Sequence, residues 1–92
     1  MELHEVDHKV PNGKLIRIKA ALMGNSIQQI TITGDFFLHP EERIVELERV
    51  LVGYEVDERK ITSITNRILS GTTMVGISSN ELTKAIMKLR SI

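Results

Sequence analysis

The chain has no cysteine and no tryptophan, only two prolines, and three aromatic side chains, Phe36, Phe37 and Tyr54. Without cysteine there is no disulfide framework, no thiol nucleophile and no thiolate to hold a metal or cluster. Twelve basic and twelve acidic side chains cancel, so no overall field draws the chain to nucleic acid, acidic lipid or another polyanion. Three rings also supply no stacking platform for single strands. No apolar run is long enough to span a bilayer and the start has no signal-like pattern, which leaves no membrane role and a cytoplasmic address as the expectation.

Against these absences, 41 % of the 92 residues are hydrophobic, with isoleucine, leucine and valine dominant. That is enough apolar matter for one small domain over 1–92, and disorder is not expected. The period of the apolar residues changes once. Val6 and Val10 share a face, as do Ile16, Ile18, Ala20 and Leu22, and then Ile30 and Ile32, alternating with Arg17, Lys19, Gln29 and Thr31. Period two predicts strands with one wet face. Pro11-Asn12-Gly13 and Gly24-Asn25-Ser26 separate the runs, and Asn-Gly marks a tight turn because both residues tolerate positive φ.

From Pro40 the period becomes helical. Ile44, Leu47 and Leu51 form a stripe opposite Glu42, Arg43, Glu46 and Arg49, closed by Gly53. Asp57 is placed to cap a second helix carrying Ile61, Ile64 and Ile68, ended by Gly71. A third begins at Ser78, with Glu81 at capping-box spacing, and carries Leu82, Ala85, Ile86 and Leu89. The expected architecture is α+β: a three-stranded antiparallel meander packed by three helices (βββααα) in two layers, with Thr72 to Ile77 as the one long irregular connection.

Catalytic constellations are hard to find. His4 and His8, four apart in a strand, have backbones roughly 13 Å apart at ~3.3 Å per residue, too far for one ion, and read as half-exposed strand histidines. His39 precedes a proline and has no second ligand nearby in sequence. Glu41, Glu42, Glu46 and Glu48 read as the solvated face of a helix balanced by Arg43 and Arg49. Ser78-Ser79 and Thr72-Thr73 lack the setting of a nucleophile, and Asn12-Gly13-Lys14 is too short to wrap a triphosphate alone. No catalytic residue and no metal ligand is therefore assigned to this chain.

The densest stretch is Gly34-Asp35-Phe36-Phe37-Leu38-His39-Pro40-Glu41-Glu42. A strand runs into a glycine, an acid that can bond its own loop, two large rings, and a proline expected at the first helical position with glutamates in the first turn. Consecutive residues in an extended corner point opposite ways, so one ring can fill the core and leave the other to cover a partner. Lys14, directly after a tight turn, projects from the end of the meander, either as a solvated hairpin charge or as a group that reaches a phosphate or acidic partner.

The wording of these blocks carries a resemblance. Lys9-Val10-Pro11-Asn12-Gly13-Lys14-Leu15, Ile32-Thr33-Gly34-Asp35-Phe36-Phe37, Leu47-Glu48-Arg49-Val50-Leu51-Val52-Gly53 and Gly76-Ile77-Ser78-Ser79-Asn80-Glu81-Leu82 resemble, in order and spacing, the C-terminal accessory domain of lipoate-protein ligases. The catalytic domain of those ligases, with its arginine- and glycine-rich lipoate motif, is not present, so the chain looks like the accessory part made separately, as in the two-chain archaeal members. The resemblance implies a fold similar to the SufE/NifU-like fold of iron-sulfur scaffold and sulfur-acceptor proteins. It implies Lys14, Gly13 and Asp35 as contacts in the activation step or with the partner, and Pro11, Phe36 and Phe37 as partner interface.

It further implies that ATP, Mg²⁺ and lipoate are bound in the assembled ligase rather than by this chain alone. The partners would be a catalytic chain and, indirectly, lipoyl domains of 2-oxoacid dehydrogenases or the glycine-cleavage carrier. A sulfur or cluster carrier of the same fold would need the missing cysteine. A non-catalytic adaptor with another protein partner is the alternative reading.

Overall fold

A computed structural model describes residues 2–91. Strands β1 (Glu2–Lys9), β2 (Leu15–Met23) and β3 (Ser26–Gly34) form an antiparallel sheet in the order β1-β2-β3. A second, two-stranded ribbon pairs β4 (Phe37–His39) with β5 (Thr73–Val75). The helices are α1 (Glu42–Leu51), α2 (Glu58–Ile68) and α3 (Ser79–Met87), the last running into a 3₁₀ turn over Lys88–Ser91. The meander and the three helices are as expected. The ribbon is not: three-residue strands leave no period to read, and Thr72–Ile77 is therefore only partly irregular.

The two faces of the meander differ because its side chains alternate. Ile16, Ile18, Ala20 and Leu22 of β2, with Ile27, Ile30 and Ile32 of β3, point into one core with Leu47, Leu51, Ile61, Ile68, Leu82 and Ile86. Ile27 is out of phase with Ile30. A bulge solves this: Ala21 pairs Gln29 while Leu22 pairs Ile27, and the extra residue returns Ile27 to the inner face. The other face is wet, with Leu3 81 % exposed and Arg17 bonded to Asp7 at 2.8 Å. α3 lies over β1 and β2, α1 beside β3, and α2 between the two other helices.

Local rules account for most helix ends. Asp57 Oδ2 accepts from Lys60 N at 3.0 Å and Ser78 Oγ from Glu81 N at 3.1 Å, each satisfying an otherwise free amide. The capping box is only half built, because the Glu81 carboxylate turns to His8 instead, with Nε2 and Oε2 2.8 Å apart. His4 and His8 also differ from expectation. Alternating with Val6 on the inner face, their side chains are only 17 % and 12 % exposed. Pro40, linked to His39 by a cis peptide, precedes the helix rather than opening it: Glu41 is the N-cap and Glu42 the first helical residue.

Candidate functional site

The first hairpin turn is fixed from three sides. Within it, Val10 N donates to Lys14 O at 3.0 Å and Gly13 N to Val10 O at 2.9 Å, while Lys9 Nζ donates to Gly13 O. Asn12 alone takes the left-handed conformation, with φ 58°. The glycine beside it is required for a different reason than expected: a Cβ on Gly13 would lie 2.6 Å from Gly76 O and 2.8 Å from Val10 Cγ1. Space, not φ, demands glycine there.

From the second side comes the loop after β5. Gly76 O accepts from Lys14 N at 3.1 Å, and Gly76, at φ 87°, leaves room for the Lys14 stem, which a Cβ would strike at Cγ. From the third side comes the β3–β4 corner, where Asp35 Oδ1 accepts from Leu15 N at 2.9 Å. That amide, and then the Lys14 and Lys9 charges, hold the exposed Asp35 carboxyl below its ordinary pKa. Lys14, Gly13 and Asp35 are thus brought together at one end of the sheet, with Pro11 exposed on the turn beside them.

The two rings separate as the corner geometry requires. Phe36 is half-buried and packs on the core, whereas Phe37 is 53 % exposed and stacks on His39 at 6.4 Å between ring centroids, 7° from parallel. Across the ribbon Phe37 pairs with Val75, itself 57 % exposed. Val75 directly precedes Gly76, so an exposed apolar pair adjoins the Lys14 turn through one peptide bond. Further along, a groove of about 480 Å³ runs between the end of β3, the corner rings and the first turns of α1, where Val45 is 53 % exposed.

Residues 3–86 match the family model of the bacterial lipoate protein ligase C-terminus. The chain belongs to that family. This lipoate protein ligase C-terminal domain is 36 % identical over 73 residues to lipoate-protein ligase A subunit 2 of Thermoplasma acidophilum, covering 78 % of this chain and 76 % of the relative. It also matches a chain of a solved archaeal lipoylation system, a bi-partite lipoate protein ligase and its E2 lipoyl domain from the same organism. There the TM-score is 0.80 at 31 % identity, over 92 % of this chain and 94 % of that one. The matched span takes in every candidate residue of the ligase domain, from Pro11 to Gly76.

Three participants lay beyond sequence reasoning. Val75 and the side-chain-accommodating role of Gly76 depend on β5, which has no periodic signal. Glu48, expected on the solvated face of α1, instead accepts from Ile32 N at 2.7 Å, because α1 lies against the outer edge of β3. Among the described residues no group of three or more His, Asp or Glu side chains is placed to hold a metal ion, and no helix is long and apolar enough to cross a membrane.

Proposed function

We propose that this chain is the accessory subunit of a two-chain lipoate-protein ligase. With a separate catalytic chain it would support ATP-dependent activation of lipoate to lipoyl-adenylate, before transfer to a lipoyl-domain lysine. The observation that carries the reading is the likeness, over nearly the whole chain, to one chain of a bi-partite ligase. In this reading ATP, Mg²⁺ and lipoate are held on the catalytic chain. Acceptors are lipoyl domains of 2-oxoacid dehydrogenases or the glycine-cleavage carrier, and the wider kinship is with the SufE/NifU-like fold.

The geometry favours a role in position and charge. Lys14 stands exposed on a turn whose main chain is held by Gly76 and Asp35, so its ammonium can be offered to a phosphate group without reorganising the turn. Phe37 and Val75 provide apolar contact beside it. Closing such a domain over the catalytic chain would exclude water from a hydrolysable mixed anhydride and complete a charge clamp on departing pyrophosphate.

The test is lipoate-dependent ATP–pyrophosphate exchange. The catalytic chain mixed with this one is expected to exchange, and neither alone. Exchange by this chain by itself, or equal exchange by the catalytic chain without it, would refute the proposal.

A further inference from the structure

The outer edge of β3 is covered only in part. Its beginning is covered by residues 53–55, through Ile27 N to Tyr54 O at 2.9 Å, Gly53 N to Ile27 O at 2.8 Å and a bridge between Ser26 and Glu55. Over residues 29–34 the only hydrogen bond on that edge, among the described residues, is the one from Ile32 N to Glu48 Oε2. A half-buried carboxylate stands where a neighbouring strand would place a carbonyl oxygen. Beside it lies the 480 Å³ groove floored by Phe36, Ile44 and Val45, with Glu41 and Glu48 on its lining.

We infer that this edge receives an extended segment of the catalytic chain as a fourth strand, seating an apolar side chain in the groove and a basic one against Glu48. The inference rests on the accessory-subunit reading above. Main-chain groups without a strand partner specify an extended occupant, and a groove with side-chain volume beside them selects what that strand carries. A strand whose carbonyl takes over Ile32 N would release the Glu48 carboxylate from that main-chain partner. A cation then has to meet it, since Glu41 and Glu48 both line the groove.

The same acids argue against a second copy of this chain. α1 adds Glu42, while Glu46 is paired with Arg43 at 3.5 Å, so a two-fold contact that sets Glu41, Glu42 and Glu48 of two copies side by side would bring like charges together. The catalytic chain is the occupant that continuity favours. The groove ends at Phe37, Phe37 pairs with Val75, and Val75 leads to the Gly76 that holds Lys14. One partner can therefore bind the edge and reach the turn.

The experiment uses the full chain and the catalytic chain, with affinity measured by calorimetry and amide exchange followed across residues 29–34. Val45→Arg, on an exposed helix position, is expected to weaken binding about 10-fold or more. Glu48→Gln keeps an acceptor for Ile32 N and is expected to weaken binding and flatten its salt dependence. Amides of residues 29–34 should become protected in the complex. Unchanged affinity for both variants and unchanged exchange, with the unmodified chain still supporting pyrophosphate exchange, would overturn the inference and leave the accessory role standing. Failure of the unmodified chain either to bind or to stimulate would overturn both. Self-association of this chain that Val45→Arg abolishes would make the occupant a second copy and overturn the inference.

Discussion

His8 Nε2 and Glu81 Oε2 lie 2.8 Å apart across 73 residues of sequence and tie the edge strand β1 to the first turn of α3. An ionised carboxylate can only accept, so the imidazole donates from Nε2. Both side chains are largely covered, at 12 % and 14 % exposure. Replacing His8 with leucine removes the donor and leaves Glu81 with Lys84 at 3.8 Å as its remaining ion-pair partner. The expected cost is about 1–3 kcal/mol, read as a lower midpoint in urea unfolding. An unchanged midpoint would show that the contact is energetically idle.

Lys14→Ala should slow lipoate-dependent pyrophosphate exchange by about 10- to 1000-fold, the range typical of losing one well-placed electrostatic group. Circular dichroism and melting temperature should stay near those of the parent, because the residue is exposed. Equal exchange and equal partner affinity would return Lys14 to the role of a solvated turn charge.

Gly13→Ala tests the packing under that turn. With Gly76 O and Val10 Cγ1 in the way, the new methyl is expected to cost about 1–3 kcal/mol and to shift Lys14. Gly24→Ala, at the other hairpin, meets nothing within 4 Å and bears only the strain of its φ of 59°. Both variants should lose stability, but only Gly13→Ala should lose exchange activity under conditions where both remain folded.

The Asp35 carboxyl titrates below its ordinary value because it accepts from Leu15 N in the folded chain. A depressed folded pKa means that its stabilising effect is fully present above the unfolded value of about 3.9, and is lost as the pH falls through the folded value. Carbon-detected NMR titration should give a lower midpoint for Asp35 than for the same residue in a short peptide. Asp35→Asn should remove that part of the acid-limb loss of stability. A midpoint at the peptide value would contradict the hydrogen bond.

Once lipoyl-adenylate is supplied preformed, this chain should become dispensable for lipoyl-domain modification, since no pyrophosphate remains to be clamped and the acceptor lysine must enter from outside. Phe37→Ser should then weaken only the ATP-dependent reaction. It should cost little stability, as the ring is 53 % exposed. Mass measurement of lipoyl-domain modification decides the matter: strong dependence of the transfer step on this chain would require a role in acceptor docking.

Much of this was legible in the order of residues. Alternation of Ile16, Ile18, Ala20 and Leu22 and the helical stripes through Leu47, Ile61 and Leu82 gave the meander and helices, since burial on one face imposes a period. The turn at Gly13 and Lys14 and the corner at Asp35 were readable because turns and corners use distinctive residue types. What stayed hidden arises from distance in sequence or brevity. Thr73–Val75 is too short to show alternation, the bulge at Gln28 and Gln29 breaks it, and nothing local to Glu48 says that its carboxylate will reach Ile32 N. His8 reads as a half-exposed strand histidine and Glu81 as the capping-box partner of Ser78 until the fold joins them.

The bond from Lys14 N to Gly76 O also makes the finished turn depend on a distant part of the chain. The turn that carries the lysine emerges early during synthesis, yet the carbonyl that holds it comes from the loop before the last helix. A chain stopped before Gly76 contains every residue of the meander, but the turn at its end still lacks that acceptor. Closing so long a loop is a late entropic cost, so the part of the surface with the most chemistry is finished only once the chain has passed Gly76.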